Sequence, residues 1–338
     1  MLINRLLIVG HGSIGKRHLR IARKLLPDAD IRVLRHQEST VVPEFSNGCF
    51  STIEEVLKFS PQVAVIASPA TFHIDVALKL TDAGVHLLIE KPIAATLDQV
   101  PALLELSRKN KTVVLVGYNL RFLSSLQQFR SFVNNNVIGR VISVRCEIGQ
   151  YLPSWRPDTD YRQGVSARRE LGGGALLELS HEIDYLRWIF GEVEWVKGTL
   201  SRQSDLDIDV EDSAHLIMGF KSDLDNKQLI GTVNIDFIRH DTTRLCTAIG
   251  DKGSLRWNGL TGIVEQYDIG GKDWYKVFHH QHQSDDSYMS EWGHFLKCVT
   301  DQENPLISGD DGLKVLQIIN SARQSSDADN HVEFVHDK

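Results

Sequence analysis

The sequence predicts a two-part chain, an α/β domain built on a parallel sheet followed by an α+β domain. Three observations carry this. A glycine-rich turn joins an apolar strand to a helix near the first residue. Strand and helix patterns then alternate as far as Val116. From Val141 the pattern changes to strands with one apolar and one polar face.

Leu6–Val9 is a short apolar strand, followed by GHGSIG and then KRHLRIARKLL, with Leu19, Ala22, Leu25 and Leu26 at helical spacing. Strand, G-x-G-x-x-G and helix is the order that a dinucleotide site needs. Gly10 makes the tight turn, Gly12 lets a pyrophosphate approach the backbone, and Gly15 lets the helix pack on the strand. Ser13 and Ile14 lie between them, where free N–H groups and the helix dipole face an anion. The glycine pattern alone is weak evidence. The next strand, Ile31–Leu34, arrives on schedule and strengthens it.

The end of that second strand discriminates between the nicotinamide cofactors, an acidic residue there suiting the ribose hydroxyls of NAD. This chain has Arg35 and His36, a basic pair that suits a 2′-phosphate, so the cofactor reading is NAD(P) with a lean towards NADP. A solvated loop is the competing reading, and Glu38 is placed to serve a ribose.

Helical Ile53–Phe59, strand Val63–Ala67, helical Phe72–Ala83, strand Val85–Ile89, helical Leu97–Asn110 and strand Val113–Val116 complete the first part. Alternating units of this length imply a parallel sheet with helices on both faces. Ligands bind beyond the carboxyl ends of such strands. Ser68–His73 (SPATFH) and Glu90–Pro92 (EKP) fall at that edge, so Ser68, Glu90 and Lys91 join the cofactor-side candidates, and His73 reads as a structural or cofactor-side residue rather than a catalyst. Pro92 fixes the turn.

In VISVRCEI (141–148) residues 142, 144, 146 and 148 are apolar and 143, 145 and 147 are polar, the alternation of an antiparallel strand with one wet face. SAHLIMGF (213–220), QLIGTVNIDF (228–237) and LCTAIG (245–250) add strands. Helices are expected around 123–136, 174–190 and 287–300, with a final one over Gly312–Ser325 that packs back near the first part. Residues 201–212 (SRQSDLDIDVED) read as an acidic surface loop. Domain limits of 1–120 and 121–338 follow.

In GGGALLELSHEIDYLRWIFG (172–191), Leu176, Leu179, Ile183, Leu186 and Phe190 form one buried helical stripe. Glu178, His181 and Tyr185 then share the opposite face, where a carboxylate and an imidazole can act on one ligand. Asp184 is placed to fix the tautomer of His181. A merely solvated outer face is the plain alternative. Upstream, Trp155, Arg156, Tyr161, Arg162, Arg168 and Arg169 supply stacking and anion-binding groups in one loop. An ordinary basic loop is the competing reading. Asn119 and Arg121, in GYNLRF, are candidates to touch substrate or to brace the domain junction. FHHQHQ (278–283) holds His279, His280 and His282 without acidic ligands nearby, and reads as an exposed loop rather than a metal site.

A net charge of −7 argues against nucleic acid or an anionic membrane as the main partner, and 42% hydrophobic with 24% charged residues is ordinary for a soluble globular chain. MLINRLLIVG runs straight into glycines, so a strand is expected there rather than a signal peptide. No apolar run is long enough to span a bilayer. Cys49, Cys146, Cys246 and Cys298 are scattered and read as reduced thiols in a cytoplasmic protein.

Together these residues resemble the glucose–fructose oxidoreductase and inositol dehydrogenase family, Gfo/Idh/MocA. The matching pieces are GHGSIG, SPATFHIDVALKLTDAGVHLLIEKP, GYNLRF, GGGALLELSHEID, GDKGSLRW, and EWGHFLKCV with NPLISGDDGLKVL, in family order from near the first residue to about residue 325. The resemblance implies an N-terminal Rossmann domain and a C-terminal domain with a large, mostly antiparallel sheet. It also implies a dehydrogenase or reductase acting on CH–OH groups of a sugar-type small molecule. Lys91 would bond the reacting oxygen, His181 would be the general acid/base, and Glu90 would lie near the ribose or position Lys91. Many members place Asp four residues before the histidine. Here Leu177 stands there and Glu178 follows it, which puts the carboxylate's role in doubt. WRPDTDYR with HEIDYLRW looks like the branch that accompanies bacterial surface-sugar biosynthesis, implying an acidic, amino or nucleotide-linked sugar. A homo-dimer or homo-tetramer is expected by the same resemblance. The rival functions are an NAD(P)-dependent glycosidase of the same fold and a non-catalytic NAD(P)-binding sensor.

Overall fold

The computed structural model describes residues 2–35, 41–221 and 227–328. His36 and Glu38 lie outside them. The chain divides into two compact units, one of residues 1–127, 170–172 and 281–316, the other of 128–169, 173–280 and 317–338.

The first unit is a doubly wound α/β structure. Its strands are β1 (Arg5–Val9), β2 (Asp30–Leu34), β3 (Gly48–Phe50), β4 (Val63–Ile66), β5 (His86–Glu90) and β6 (Val114–Gly117). Among the described residues they form one parallel sheet in the order β3-β2-β1-β4-β5-β6. The order reverses at β1, which places a ligand crevice beyond the carboxyl ends of β1 and β4. Helices α1 (Ser13–Leu25), α2 (Ile53–Phe59), α3 (His73–Asp82) and α4 (Val100–Asn110) connect them. Glu55 starts α2 by a capping box, its backbone N–H donating to Thr52 Oγ1 while its carboxylate accepts from the Thr52 N–H. Leu6 and Ile8 of β1, Val33, Val65, Leu88 and Leu115 form one core with Leu19, Ile21 and Ala22 of α1. The strands read as continuous apolar runs because both faces of the sheet are covered.

α5 (Ser124–Asn134) begins in the first unit and ends in the second, and α8 (Asp286–Thr300) belongs to the first, where Trp292, Phe295 and Val299 complete the core beside α1.

The second unit carries β7 (Val141–Gly149), β8 (Val193–Ser201), β9 (Ser213–Phe220), β10 (Ile230–Asp236), β11 (Thr243–Gly250), β12 (Gly253–Asn258), β13 (Ile263–Asp268) and β14 (Tyr275–His279). They pair in the order β14-β13-β12-β11-β7-β10-β9-β8, antiparallel except for β7 with β10. Val144, Cys146, Leu216, Met218, Val233, Ala248, Leu255 and Trp257 are buried on one face. Helices α6 (Ala175–Glu178), α7 (His181–Phe190) and α9 (Gly309–Asp327) are the remaining ones, α9 beginning in the first unit and ending in the second. Among the described residues no helix is long and apolar enough to cross a membrane.

Two expectations are corrected. The continuous helix over 174–190 is two helices, broken at Leu179 and Ser180. The acidic stretch 201–212 is not a plain surface loop, because Leu206, Ile208, Val210 and Asp212 are buried. Asp212 accepts the backbone N–H groups of Gln203 and Ser204, and so turns the segment inward.

Candidate active site

In the first unit the glycine turn forms an anion cradle. Gly10 has φ +90°, and a Cβ on it would lie 2.8 Å from the Ala67 carbonyl oxygen, so only glycine lets β1 and β4 end side by side. A Cβ on Gly15 would collide with the Gly10 carbonyl, whereas one on Gly12 would meet nothing within 4 Å. The open backbone at Gly12 precedes α1, whose N-terminus has no side-chain cap and no acidic residue in its first turn. Those N–H groups are left for a ligand.

The surroundings are basic. The His11 imidazole is held below its usual value by burial and by the charges of Arg35 and Lys16. Arg35 follows β2 and donates from Nη2 to the Val41 carbonyl at 2.8 Å, while its Nε is shielded and has no partner among the described residues. Ser68 Oγ is likewise shielded and without a partner there. A dinucleotide fits this donor set, whose Gly12–Ser13–Ile14 backbone would hold its pyrophosphate.

At the end of β5, the Lys91–Pro92 peptide is cis and Lys91 is half-buried. Glu90 is buried, and its Oε2 accepts the Lys91 backbone N–H at 3.2 Å. His73 is held by backbone oxygens on two sides. Its ring lies between two carbonyl oxygens, Ser68 O at 2.8 Å from Nε2 and Pro92 O at 3.1 Å from Nδ1, and braces the loops after β4 and β5. Burial pushes His73 down despite those contacts, so the neutral ring donates to one carbonyl at a time.

Asn119 and Arg121 are also bracing residues. Asn119 donates to Ser287 Oγ at 2.8 Å and Arg121 to the Leu306 carbonyl at 3.0 Å, with Asp311 at 3.6 Å; both are buried within the first unit. Both side chains are thus engaged inside the first unit.

In the second unit, Glu178 ends α6 and His181 begins α7, both half-buried. Ser166 Oγ donates to Glu178 Oε2 at 2.9 Å. Glu211 holds the start of α6, accepting the Leu176 N–H at 3.1 Å, and burial raises its carboxyl. Sequence reading missed Glu211 because it lies in the stretch taken as surface loop. Tyr185 stands four residues after His181 on α7. It is fully buried, its hydroxyl 3.0 Å from Cys146 Sγ and its ring edge-on to Trp257. Asp184 is buried one residue before it. The break at Leu179–Ser180 separates Glu178, on α6, from His181 and Tyr185, on α7.

In the loop before α6, the Trp155 indole N–H donates to the Gln150 carbonyl at 3.1 Å and its ring is edge-on to Phe237. Tyr161 accepts the Asp207 N–H at 3.2 Å, and Arg156 is exposed. Trp155 and Tyr161 are held rigidly; Arg156 is available to an anion. His282, from the histidine-rich stretch, bonds Ser125 Oγ at 2.8 Å.

Comparison with known proteins agrees with this architecture. Residues 4–118 match the model of an oxidoreductase family with an NAD-binding Rossmann fold, and residues 126–256 match the Gfo/Idh/MocA C-terminal domain. A myo-inositol 2-dehydrogenase of Thermotoga maritima is 25% identical over 98% of each chain. An uncharacterised oxidoreductase of Synechocystis is 28% identical over 68% of this chain, which spans 62% of that relative's length. Among solved structures, a levoglucosan dehydrogenase in complex with NADH superposes with a TM-score of 0.83 at 19% identity, over 96% of this chain and 97% of that one. The WlbA dehydrogenase of Bordetella pertussis, in complex with NADH and UDP-GlcNAcA, gives 0.77 at 20% identity over the same shares. With both of its family models matched in order and the fold shared along nearly its whole length, the chain belongs to the Gfo/Idh/MocA family of oxidoreductases.

Proposed function

We propose that the chain is an NAD(P)-dependent dehydrogenase or reductase acting on a secondary alcohol or ketone of a sugar derivative, nucleotide-linked or acidic. The observation that carries this is the Lys91 turn at the carboxyl edge of the same sheet that holds the uncapped glycine cradle. The nicotinamide, when bound, accepts or donates the hydride. Lys91 hydrogen-bonds the reacting oxygen and steadies the negative charge that develops on it. His181 takes the hydroxyl proton during oxidation and returns it during reduction. Glu178, held by Ser166, is the third catalytic candidate. Trp155 and Tyr161 offer apolar faces to a sugar ring and Arg156 an anion contact. UDP-GlcNAcA bound to the WlbA dehydrogenase, a protein of similar fold, supports an acidic nucleotide sugar as substrate class.

Arg35, with Lys16 also near His11, supports NADP over NAD, since these cations favour an added phosphate. A reducing compartment, the cytoplasm, suits four cysteines that are all free thiols. Pairing of two copies through the open sheet face, where Trp195 and Ile217 are exposed, is the oligomer we expect, and light scattering reads it.

The test is absorbance at the reduced-nicotinamide band with NAD and NADP over a panel of myo-inositol, levoglucosan, UDP-N-acetylglucosamine and its uronic acid. His181→Ala and Lys91→Ala should each lose turnover and keep NADH binding. Full turnover in either variant overturns the assignment, and a strong preference for NAD overturns the reading of Arg35.

A further inference from the structure

Behind the Lys91 turn lies a chain of three side chains that the chemistry above does not use. Trp292, on α8, donates its indole Nε1–H to Nδ1 of His18 at 2.8 Å. The other ring nitrogen of His18, Nε2, lies 2.7 Å from Oε1 of Glu90. Oε2 of the same carboxyl accepts the Lys91 backbone N–H at 3.2 Å. His18 and Trp292 are fully buried and Glu90 nearly so.

The donor inventory fixes where the protons sit. An indole nitrogen donates and never accepts. Nδ1 of His18 therefore carries a lone pair, and the ring proton is on Nε2. That proton faces Oε1, so Glu90 accepts it as a carboxylate. A protonated Glu90 donating to Nε2 would leave the imidazole with no proton at all. The 2.7 Å contact is thus a neutral imidazole holding an anion, rather than an ion pair.

We propose that Trp292 and His18 are positioning residues for Lys91, holding Glu90 as an oriented carboxylate that fixes the Lys91 backbone and gives its ammonium a countercharge. The proposal rests on the hydride-transfer reading of Lys91. The groups that face Glu90 are His18 from α1, His73 from α3, Lys91 beside it, and Tyr288 and Glu291 from α8. Burial pushes Tyr288 and Glu291 up and His73 down, so all three stay neutral. Burial alone would raise Glu90 too; the His18 hydrogen bond, with the charge and the backbone N–H of Lys91, brings it below the ordinary carboxylate range.

The full chain serves for the test. NMR of histidine carrying labelled ring nitrogens reads the tautomer, with the His18 signal identified by its loss in His18→Gln. A bare Nδ1 and a protonated Nε2 are expected at neutral pH. Trp292→Phe should let a doubly protonated ring emerge, because Nδ1 loses its donor while Nε2–H still faces Glu90. An Nδ1–H or doubly protonated His18 in the wild type overturns the proposal whatever the substrate.

Kinetics on the panel sugar that is turned over then read the positioning. His18→Leu should lower kcat about tenfold or more and leave the NADH Kd within about threefold. It should also move the acid limb of the kcat/KM profile up by about one unit or more, because Glu90 keeps its burial and loses its donor. His18→Gln restores an N–H near the place of Nε2 and should recover most of both. Equal behaviour of the two variants, or a wild-type profile in His18→Leu, sinks the positioning role. If His18→Leu does not fold, Glu90→Gln carries the comparison, since it keeps shape and removes the countercharge; wild-type kcat there is equally decisive against the idea. A normal His18→Leu beside an inactive Lys91→Ala removes the relay alone, whereas an active Lys91→Ala removes the hydride-transfer reading.

Discussion

Glu90 stands opposite Gly117 across the β5–β6 pair, and a Cβ on Gly117 would lie 3.1 Å from Oε2 of Glu90 and 3.2 Å from its Cα. The glycine clears the space in which the carboxylate turns back towards Lys91. Gly117→Ala presses on backbone as well as side chain, so the strand itself must shift. We expect a loss of about 1–3 kcal/mol, typical of overpacking, seen as a lower urea midpoint. Turnover should fall with it, because the shift is delivered at Glu90.

Gly10 and Gly12 should separate stability from binding. Gly10→Ala meets the Ala67 carbonyl at 2.8 Å and a backbone at φ +90°, and should both destabilise the chain and abolish NADH binding. Gly12 has φ −71° and open space around it, so Gly12→Ala should keep the wild-type Tm. Its methyl still occupies the pyrophosphate approach, and NADH affinity should drop about tenfold or more. Fluorescence titration of NADH against thermal melting distinguishes the two variants. Equal NADH affinity in Gly12→Ala and wild type would remove the cradle reading.

Glu291 predicts how stability varies with pH. It is fully buried, and neither carboxyl oxygen has a hydrogen-bond partner among the described residues. Burial, then the charge of Glu90, raises it well above the ordinary value. The folded chain therefore binds this proton more tightly than the unfolded one. The stability it contributes is complete below the unfolded carboxyl value of about 4.3 and is lost as pH rises towards the folded value. The loss proceeds at up to about 1.4 kcal/mol per pH unit. Glutamine does not titrate, so Glu291→Gln should gain on the wild type between about pH 5 and about pH 8. Urea unfolding at both pH values reads the difference, and a gap independent of pH would contradict a neutral buried Glu291.

Thiol reactivity should follow burial. Burial raises the Cys146 thiol well above its usual range and takes Cys298 to about 11. Cys146 and Cys246 face each other across β7 and β11, both buried, while Cys49 is partly exposed. A thiol reagent near pH 8 should label Cys49 first and reach Cys146 only after denaturation. Rapid labelling of Cys146 in the native chain would contradict its packing against Tyr185.

Local pattern was enough for most of the first unit, although β3 and the return of residues 281–316 to it passed unread. β1, the glycine turn and α1 are contiguous, and each glycine answers to a neighbour that the same strand–helix unit supplies. The alternation in β7, β9, β10 and β11 was legible because one face is wet. β8, β12, β13 and β14 passed unread: β8, for example, has no fully buried residue to mark an inner face. The break between α6 and α7 was hidden because Leu176, Leu179 and Ile183 keep helical spacing across it. Glu211 and Asp212 looked like surface acid because their partners, the Leu176 N–H and the 203–204 backbone, are identified by folding alone.

The sequence by itself determined the parallel sheet, the anion cradle and the candidates Lys91 and His181, since each rests on spacing within one element or one turn. Tertiary structure decided which polar residues have work inside the protein. It assigned Asn119, Arg121, His73 and Tyr185 to internal contacts, and it joined His18 to Trp292 across a separation of 274 residues. Chemistry of that kind depends on which side chain completes another's hydrogen bonds in a dry interior, and only the folded chain chooses those partners.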